Sequence, residues 1–478
     1  MNPSFLVLLS FLICGGSGDL LDYVPTHSYW HDRNVEVTVD AMQREAAPTA
    51  SVDASKIITD LGAADPHVRD KASDNILKLG IGTLPQLRQA ATGADPETAE
   101  RSAQLITQLR PLITVGAVRR LMALRALGEL KDAKAVPFLQ SQLSSQEMFV
   151  ADYARNAIGA IYGQPARHVI PKAAVDEVWL LPSNCRAVAQ LLPRGNGPID
   201  AEKAAAQIPV QGGPDSEQLI ANLSKTALHV AEKLGDMRLD ALNVGVSENI
   251  DDNHGCLTLI ASGQFDSANA VRILHEQHAA TRSVNRVQIF EPDGESTMIF
   301  PSDHEFVMMI APSGEQTPLD EMITTLKTRE QTLRKSPEMT ALVEALLKHD
   351  ANASHALWIT IKVTDAYRKV SGLDGFNTVT LIGDEQNGTL NVTASGESPD
   401  AQTAGAAVQQ LTRMAAEGTA ILKLILPTQP SVQPALDFLA SVKFQNNANL
   451  VTGSATLQET PAELFMLPLF VGLNMRGE

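Results

Sequence analysis

The chain's 478 residues suffice for about three domains. With 44% hydrophobic, 19% charged and only 4% aromatic residues, it has material for ordinary cores of Ala, Leu, Val and Ile, and too little charge for a disordered chain. Its 38 basic residues face 55 acidic ones, a formal net charge of −17, which excludes nucleic acid and electrostatic docking on an anionic membrane as expected partners.

Residues 1–18 carry no charged side chain. Phe5–Ile13 is apolar except for Ser10, and Gly15, Gly16, Ser17 and Gly18 follow Cys14. A membrane-spanning helix needs about 20 apolar residues, so this run is too short. It reads as a signal peptide over 1–18, cut after Gly18, and implies a periplasmic or extracellular destination. Cys14 is a poor site for a lipid anchor, because Ile13 stands where a small residue is wanted. No later stretch is long and apolar enough to span a membrane.

Residues 19–53 read as an N-terminal segment and linker. Val35–Ala41 alternates as a short strand would. Gln43–Asp53 is rich in Ala, Pro, Ser and Thr and lacks a periodic apolar face. His27, Trp30, His31 and Asp32 suit a chain end packed on its domain better than a ligand site.

From Ala54 the pattern turns helical and repeats. Asp65-Pro66 leads through Arg69, Ala72, Ile76 and Leu79-Gly80 to Leu84-Pro85 and Leu87. Asp95-Pro96 opens a second round with Arg101, Ala103, Leu105 and Ile106. A third variant holds Leu121, Leu124, Ala126-Leu127-Gly128 and Val136-Pro137, and ends at Ala154, Ala157 and Ile161. Asp before Pro supplies an N-cap oxygen, and Pro at the first helical position loses no needed hydrogen bond. Gly80 and Gly128 sit where helix C-caps belong. Over 54–165 these residues resemble HEAT-like repeats. The resemblance implies a curved α-solenoid that serves as a protein-binding scaffold and carries no chemistry.

The C-terminal half contains one unit written twice. Leu257–Gly263 (LTLIASG) matches Leu390–Gly396 (LNVTASG). Each follows a Gly-bearing turn and an alternating run, a hairpin signal, and each precedes an acidic N-cap candidate, Asp266 or Asp400, and an amphipathic helix. Gln316-Thr317-Pro318 likewise matches Glu459-Thr460-Pro461. Trp-bearing strands, Val178–Leu180 and Leu357–Ile359, are expected to open the copies. The boundaries are 174–348 and 349–478, with an insertion at about 192–237 that includes a helix over Ser216–Leu234. The element order suggests two tandem ferredoxin-like βαββαβ units. The expected fold class is therefore multidomain, an α-solenoid followed by two duplicated α+β units. The order of parts resembles that of exported bacterial HEAT-like proteins.

No residue pattern points to catalysis, a cofactor or a metal. His275-Glu276-Gln277-His278 lacks the i, i+4 spacing of a zinc-protease helix. Asp251–Gly255 resembles a calcium loop but has Ile250 and Ala261 where Asp and Glu are wanted. In an oxidising compartment Cys185 and Cys256 could bridge; the alternative is two small buried apolar side chains. Trp179 and Trp358 suit core packing better than ligand stacking. Sequons stand at Asn222, Asn352, Asn387 and Asn391. The expected function is a non-catalytic exported scaffold whose helical repeats bind a protein. The alternative is a small-molecule or peptide-binding module in a cleft between the duplicated units, and an enzyme of another kind comes third.

Overall fold

The computed structural model describes residues 20–164, 170–192, 216–247, 256–292, 296–310, 317–348, 355–365, 375–386, 389–425 and 433–458. The signal peptide, the Asp251–Gly255 loop, the Glu459–Pro461 match and the sequons at Asn352 and Asn387 lie outside these residues. The N-terminal part is helical and the C-terminal part is built on an antiparallel sheet, a mixed α plus β chain. It divides into two compact units. One is Val24–Ala166 with Leu228–Asp236, and the other is the remainder.

The helical unit contains α1 (Thr26–His31), α2 (Val39–Ala46), α3 (Ser55–Asp60), α4 (Pro66–Leu79), α5 (Leu84–Ala91), α6 (Pro96–Glu129), α7 (Val136–Gln142) and α8 (Val150–Ile161). Asp65 accepts from the His67 N–H and Asp95 from the Thr98 N–H, so both act as N-caps, each worth about 1 kcal/mol. Pro66, Pro85, Pro96 and Pro137 all sit in first turns. Gly80 ends α4 at φ 70°, a conformation that favours glycine.

Three expectations for this region need correction. Val35–Ala41 forms no strand, because a lone alternating run has no partner to pair with. Thr38 instead caps α2, its hydroxyl accepting from the Ala41 N–H. The stretch 43–53 is only partly a linker, since α2 continues to Ala46, and Met42 and Ala46 are buried. Gly128 is not a C-cap. It lies inside α6, where a Cβ would come within 2.8 Å of the Ala157 backbone, so it permits close approach of α6 and α8. The second and third rounds of the repeat share this one helix of 34 residues, which runs on through Pro111.

The other unit holds α9 (Lys172–Asp176), a 3-10 turn (Glu177–Leu180), β1 (Cys185–Leu191), the first turns of α10 (Ser216–Leu234), β2 (Arg238–Ser247), β3 (Leu257–Gln264), α11 (Ser267–Glu276), β4 (Ala280–Val284), β5 (Val287–Glu291), β6 (Ser296–Ser302), β7 (Glu305–Ile310), α12 (Thr317–Thr328) and α13 (Pro337–Lys348). Then come β8 (Leu357–Lys362), β9 (Thr378–Gln386), β10 (Thr389–Glu397), α14 (Ala401–Ile425), α15 (Gln433–Ser441), β11 (Lys443–Asn447) and β12 (Leu450–Gln458). Among the described residues all strands join one sheet, in the order β11-β12-β10-β9-β8-β1-β2-β3-β7-β6-β5-β4, with every neighbouring pair antiparallel.

The duplication is written into this order: β1-β2-β3-β7 repeats as β8-β9-β10-β12. Ser262 faces Ala241 and Glu305 on its two sides, and Ser395 faces Thr380 and Thr452. Stepping along β2 and β9, Asn243 corresponds to Ile382. Their partners Gln190 and Trp358 then correspond as well. Gln190 and Trp358 are also paired directly with each other. A pseudo-twofold axis therefore passes between these two residues, where the first strands of the copies join the sheet edge to edge.

This register corrects two readings. In a ferredoxin-like split unit the helix joins two strands that have a third between them. Here β1 and β2, which flank α10 in sequence, are direct antiparallel neighbours. The order of elements along the chain is the same for both arrangements, so only the pairing distinguishes them. Trp179 lies on the 3-10 turn rather than on a strand, and β1 begins after it.

One face of the sheet packs on α11 and α14, through Leu274 against Leu259 and Phe290, and through Ala404 and Ala407 against Val451. The opposite face of the first copy packs Ile260, Val307 and Met309 against Met322 and Ile323 of α12 and Met339 and Val343 of α13.

Candidate functional site

Three places in the molecule hold chemistry or surface that packing alone does not account for. The first is on the helical unit. Leu112 is 55% exposed and Val115 41%, one turn apart on α6. Leu79, 40% exposed, ends α4 just before the turn whose Ile81 reaches to Gly116, the residue after Val115. Val68 is also exposed, eleven residues before Leu79 on α4 and so on nearly the same side of that helix. Large apolar side chains gathered in this way favour contact with another apolar surface.

The second is one face of the second copy, as seen among the described residues. Thr393, Ser454 and Thr456 occupy the positions of Ile260, Val307 and Met309, and all three are exposed. Asn391 lies beside them, its Oδ1 accepting from Thr456 Oγ1 at 3.3 Å. At these three positions the copies differ in side chain, apolar Ile260, Val307 and Met309 in the first and hydroxyl-bearing Thr393, Ser454 and Thr456 in the second.

The third is a part-buried cluster at the end of β3 and β7 in the first copy, with Glu305 buried and Arg329 exposed. Glu305, 2% exposed, takes both terminal nitrogens of Arg329, with Nη1 to Oε1 at 2.7 Å and Nη2 to Oε2 at 2.5 Å. Asp240 is buried, with Arg238 Nε 3.4 Å away. The Glu177 carboxylate accepts a hydrogen bond from Ser262 Oγ. Burial pushes the Glu177 carboxyl up to about 7; Ser262 and Arg329 pull it down, and the charges of Glu305 and Asp240 raise it. Sequence reading missed this cluster, because its members come from five separated elements and only Ser262 lies in a recognised motif, as part of the duplicated strand.

The residues singled out from sequence fall elsewhere. Cys185 and Cys256 are both buried and carry no disulfide. They flank Ser247 on either side: Cys185 is its register partner, and the Cys256 carbonyl accepts from its N–H. Two strand spacings, about 9.6 Å, separate such backbones. A disulfide needs Cα atoms within about 7 Å, so of the two alternatives left open by the sequence the structure has two buried, unbridged side chains. Burial pushes the Cys185 thiol up. Trp179 and Trp358 are both buried, and Arg334 lies 3.9 Å over the Trp179 ring.

His275 sits at the exposed end of α11, edge-on to Phe290, while Glu276 pairs with Arg272. His304 Nδ1 lies 3.1 Å from the Gly263 carbonyl, and Asp303 accepts from the Ser267 N–H. Near the N-terminus, Trp30 is fully buried and His31 and Asp32 are exposed. At the seam between the copies, Gln190, Asn243 and Trp358 fill the interior. Trp358 Nε1 donates to Gln190 Oε1 at 3.2 Å, and Gln190 Nε2 donates to Asn243 Oδ1 at 2.7 Å. There the copies meet by direct antiparallel pairing of β1 with β8. Among the described residues no group of His, Cys, Asp and Glu is arranged to hold a metal, and no helix is long and apolar enough to cross a membrane.

No family model matches the chain, and no curated protein does. Among solved structures, crystal form III of TP0453 matches with a TM-score of 0.33 and 10% identity over 60% of this chain and 97% of that one. Crystal form IV of the same protein gives 0.33 and 11%, covering 63% and 98%. A likeness at this level does not define a shared fold.

Proposed function

We propose that the chain is a non-catalytic, exported interaction protein whose helical unit is a HEAT-like scaffold for a protein partner. The observation that carries this reading is the exposed apolar group Leu79, Leu112 and Val115 on α4 and α6. The Asp–Pro caps and the stacked helices support the scaffold half of it, and the uncharged apolar leader Phe5–Ile13 supports export. The test is capture from the native extracellular or periplasmic fraction with residues 19–478, comparing wild type with Leu112→Asp/Val115→Asp. Both side chains are exposed, so the fold should tolerate the change. A partner held by wild type and lost at least tenfold by the variant supports the reading; equal retention by both removes the helical surface from it.

A second reading has its own observation. In the second copy Thr393, Ser454 and Thr456, with Asn391 beside them, stand where the first has Ile260, Val307 and Met309. Such a face suits an uncharged ligand rich in hydrogen-bonding groups, a peptide or small molecule bound on the second copy rather than between the copies. Thr393→Val/Thr456→Val would abolish binding of that kind and leave capture through the helical unit unchanged.

A further inference from the structure

We propose that Arg33, Thr114 and Tyr153 form a seat for the acidic C-terminal end of a helix, filled in this structure by the end of α10 and open to a partner helix of the same chemistry when α10 is displaced. Leu228–Asp236 belong to the helical unit, and Val230 and Ala231 are buried. A helix leaves the carbonyls of its last turn without partners of its own. At the end of α10 the Gly235 N–H takes the Ala231 carbonyl, and Thr114 Oγ1 of α6 donates to the Glu232 carbonyl at 2.8 Å. Arg33, just past α1, donates from Nη2 to Glu232 Oε1 at 2.9 Å. Tyr153 of α8 donates its hydroxyl to Asp236 Oδ2 at 2.8 Å. Donors from three parts of the unit thus converge on one helix end: a hydroxyl for a freed carbonyl, a guanidinium for an acid in the last turn, and a phenol for an acid just beyond it.

Neither acid favours α10 by itself. A carboxylate in the last turn opposes the helix dipole, and Asp236, 4% exposed, is taken out of water. The groups that receive them account for both. The seat is also built to stand without its occupant. Arg33 lies 3.8 Å over the Tyr29 ring and donates from Nη1 to the Tyr29 carbonyl, contacts that hold the guanidinium whether or not Glu232 is there. The Thr114 hydroxyl has one hydrogen to give, and the Pro111 carbonyl of its own helix lies 3.0 Å away as a second acceptor. The helix in turn is an addition to the first copy. The connection from β8 to β9 in the second copy is shorter than the 19 residues of α10, so the duplicated fold does not depend on it. The partner that fits is a helix ending in small apolar residues and a glutamate, with a second acid four residues on. The seat uses none of Leu79, Leu112 and Val115 and does not rest on the function proposed for them.

The probe is a fluorescein-labelled synthetic peptide of residues 216–237, titrated into the chain of residues 19–478 and followed by anisotropy. In wild type the tethered α10 competes at an effective concentration of about 1 mM, so the peptide should bind weakly. Glu232→Lys in the chain sets a cation against Arg33 and should raise peptide affinity at least about tenfold. Arg33→Glu should reverse the preference, so that this chain binds a peptide carrying Glu232→Lys about tenfold tighter than the natural peptide. The Arg33 and Glu232 side chains are 26% and 27% exposed, so both changes leave the new charge in reach of water. Hydrogen exchange of the Glu232→Lys chain should show protection lost at Ala231–Gly235 and kept in α6 and α8. Equal peptide affinity in wild type and Glu232→Lys, or a preference that does not reverse in Arg33→Glu, would overturn the proposal. Protection lost across α6 and α8 alike, or a Glu232→Lys chain that does not fold, would overturn it too, because α10 would then be core rather than an exchangeable occupant.

Discussion

At the scale of single residues, the clearest constraints are contacts that admit no extra atom. Gly263 and Gly396 end the two matched strand motifs, and each excludes a Cβ for its own reason. At Gly263 a Cβ would overlap the Arg238 carbonyl, and at Gly396 it would lie 2.5 Å from the Phe376 ring. Gly263→Ala meets backbone and should destabilise by about 1–3 kcal/mol, more than Gly396→Ala, where a ring can shift; urea denaturation of the two variants checks the order. Titrating groups set a second constraint. A carboxyl raised in the folded state favours folding while protonated. The Glu177 contribution is therefore complete below its ordinary value of 4.5 and is lost as pH rises through about 7. Glu45 is lowered by its hydrogen bond from Arg119, Asp95 by those from Thr98 and Asp400 by the Thr403 N–H, so their contributions are lost as pH falls. Melting temperature should peak at about pH 4.5 and fall toward pH 7, with that fall weakened in Glu177→Gln; a fall as steep in that variant would assign it to other groups.

At the scale of elements, the helix signals were legible in sequence because they are local. Asp65 and Asp95 cap the helices they precede, Asp266 and Asp400 do the same for α11 and α14, and α10 spans Ser216–Leu234. What could not be read is set by pairing between distant residues. The joining of β1 to β8 relates Gln190 to Trp358, two side chains with no resemblance, so the eye matches Trp358 to Trp179 instead. The acid cluster was illegible for a similar reason: in a sequence, Glu177 and Glu305 look like any solvated acids, and only the register that sets Ser262 opposite Glu305 brings them together. The long helix α6 offers an element-scale prediction. Pro111 cannot donate to the carbonyl one turn earlier, so Pro111→Ala should stabilise the helical unit by up to about 3 kcal/mol, seen as a rise in its thermal midpoint.

At the scale of the whole molecule, the two copies share a strand ladder and an apolar layer that runs under both, from Leu259 and Met308 through Ala189 and Leu357 to Leu390 and Val392. They should therefore unfold together, and calorimetry should show one transition for the sheet unit rather than one per copy. The pair at the axis explains why one chain is a better solution than two. In an assembly of identical subunits, a residue on the dyad must meet its own duplicate. Gln facing Gln or Trp facing Trp would then be forced, and two indoles, which only donate, cannot satisfy each other. With both copies on one polypeptide the two sides can mutate separately, and an acceptor can be set against a donor. The Gln190–Trp358 hydrogen bond is thus a contact that covalent linkage makes available and that exact symmetry would forbid.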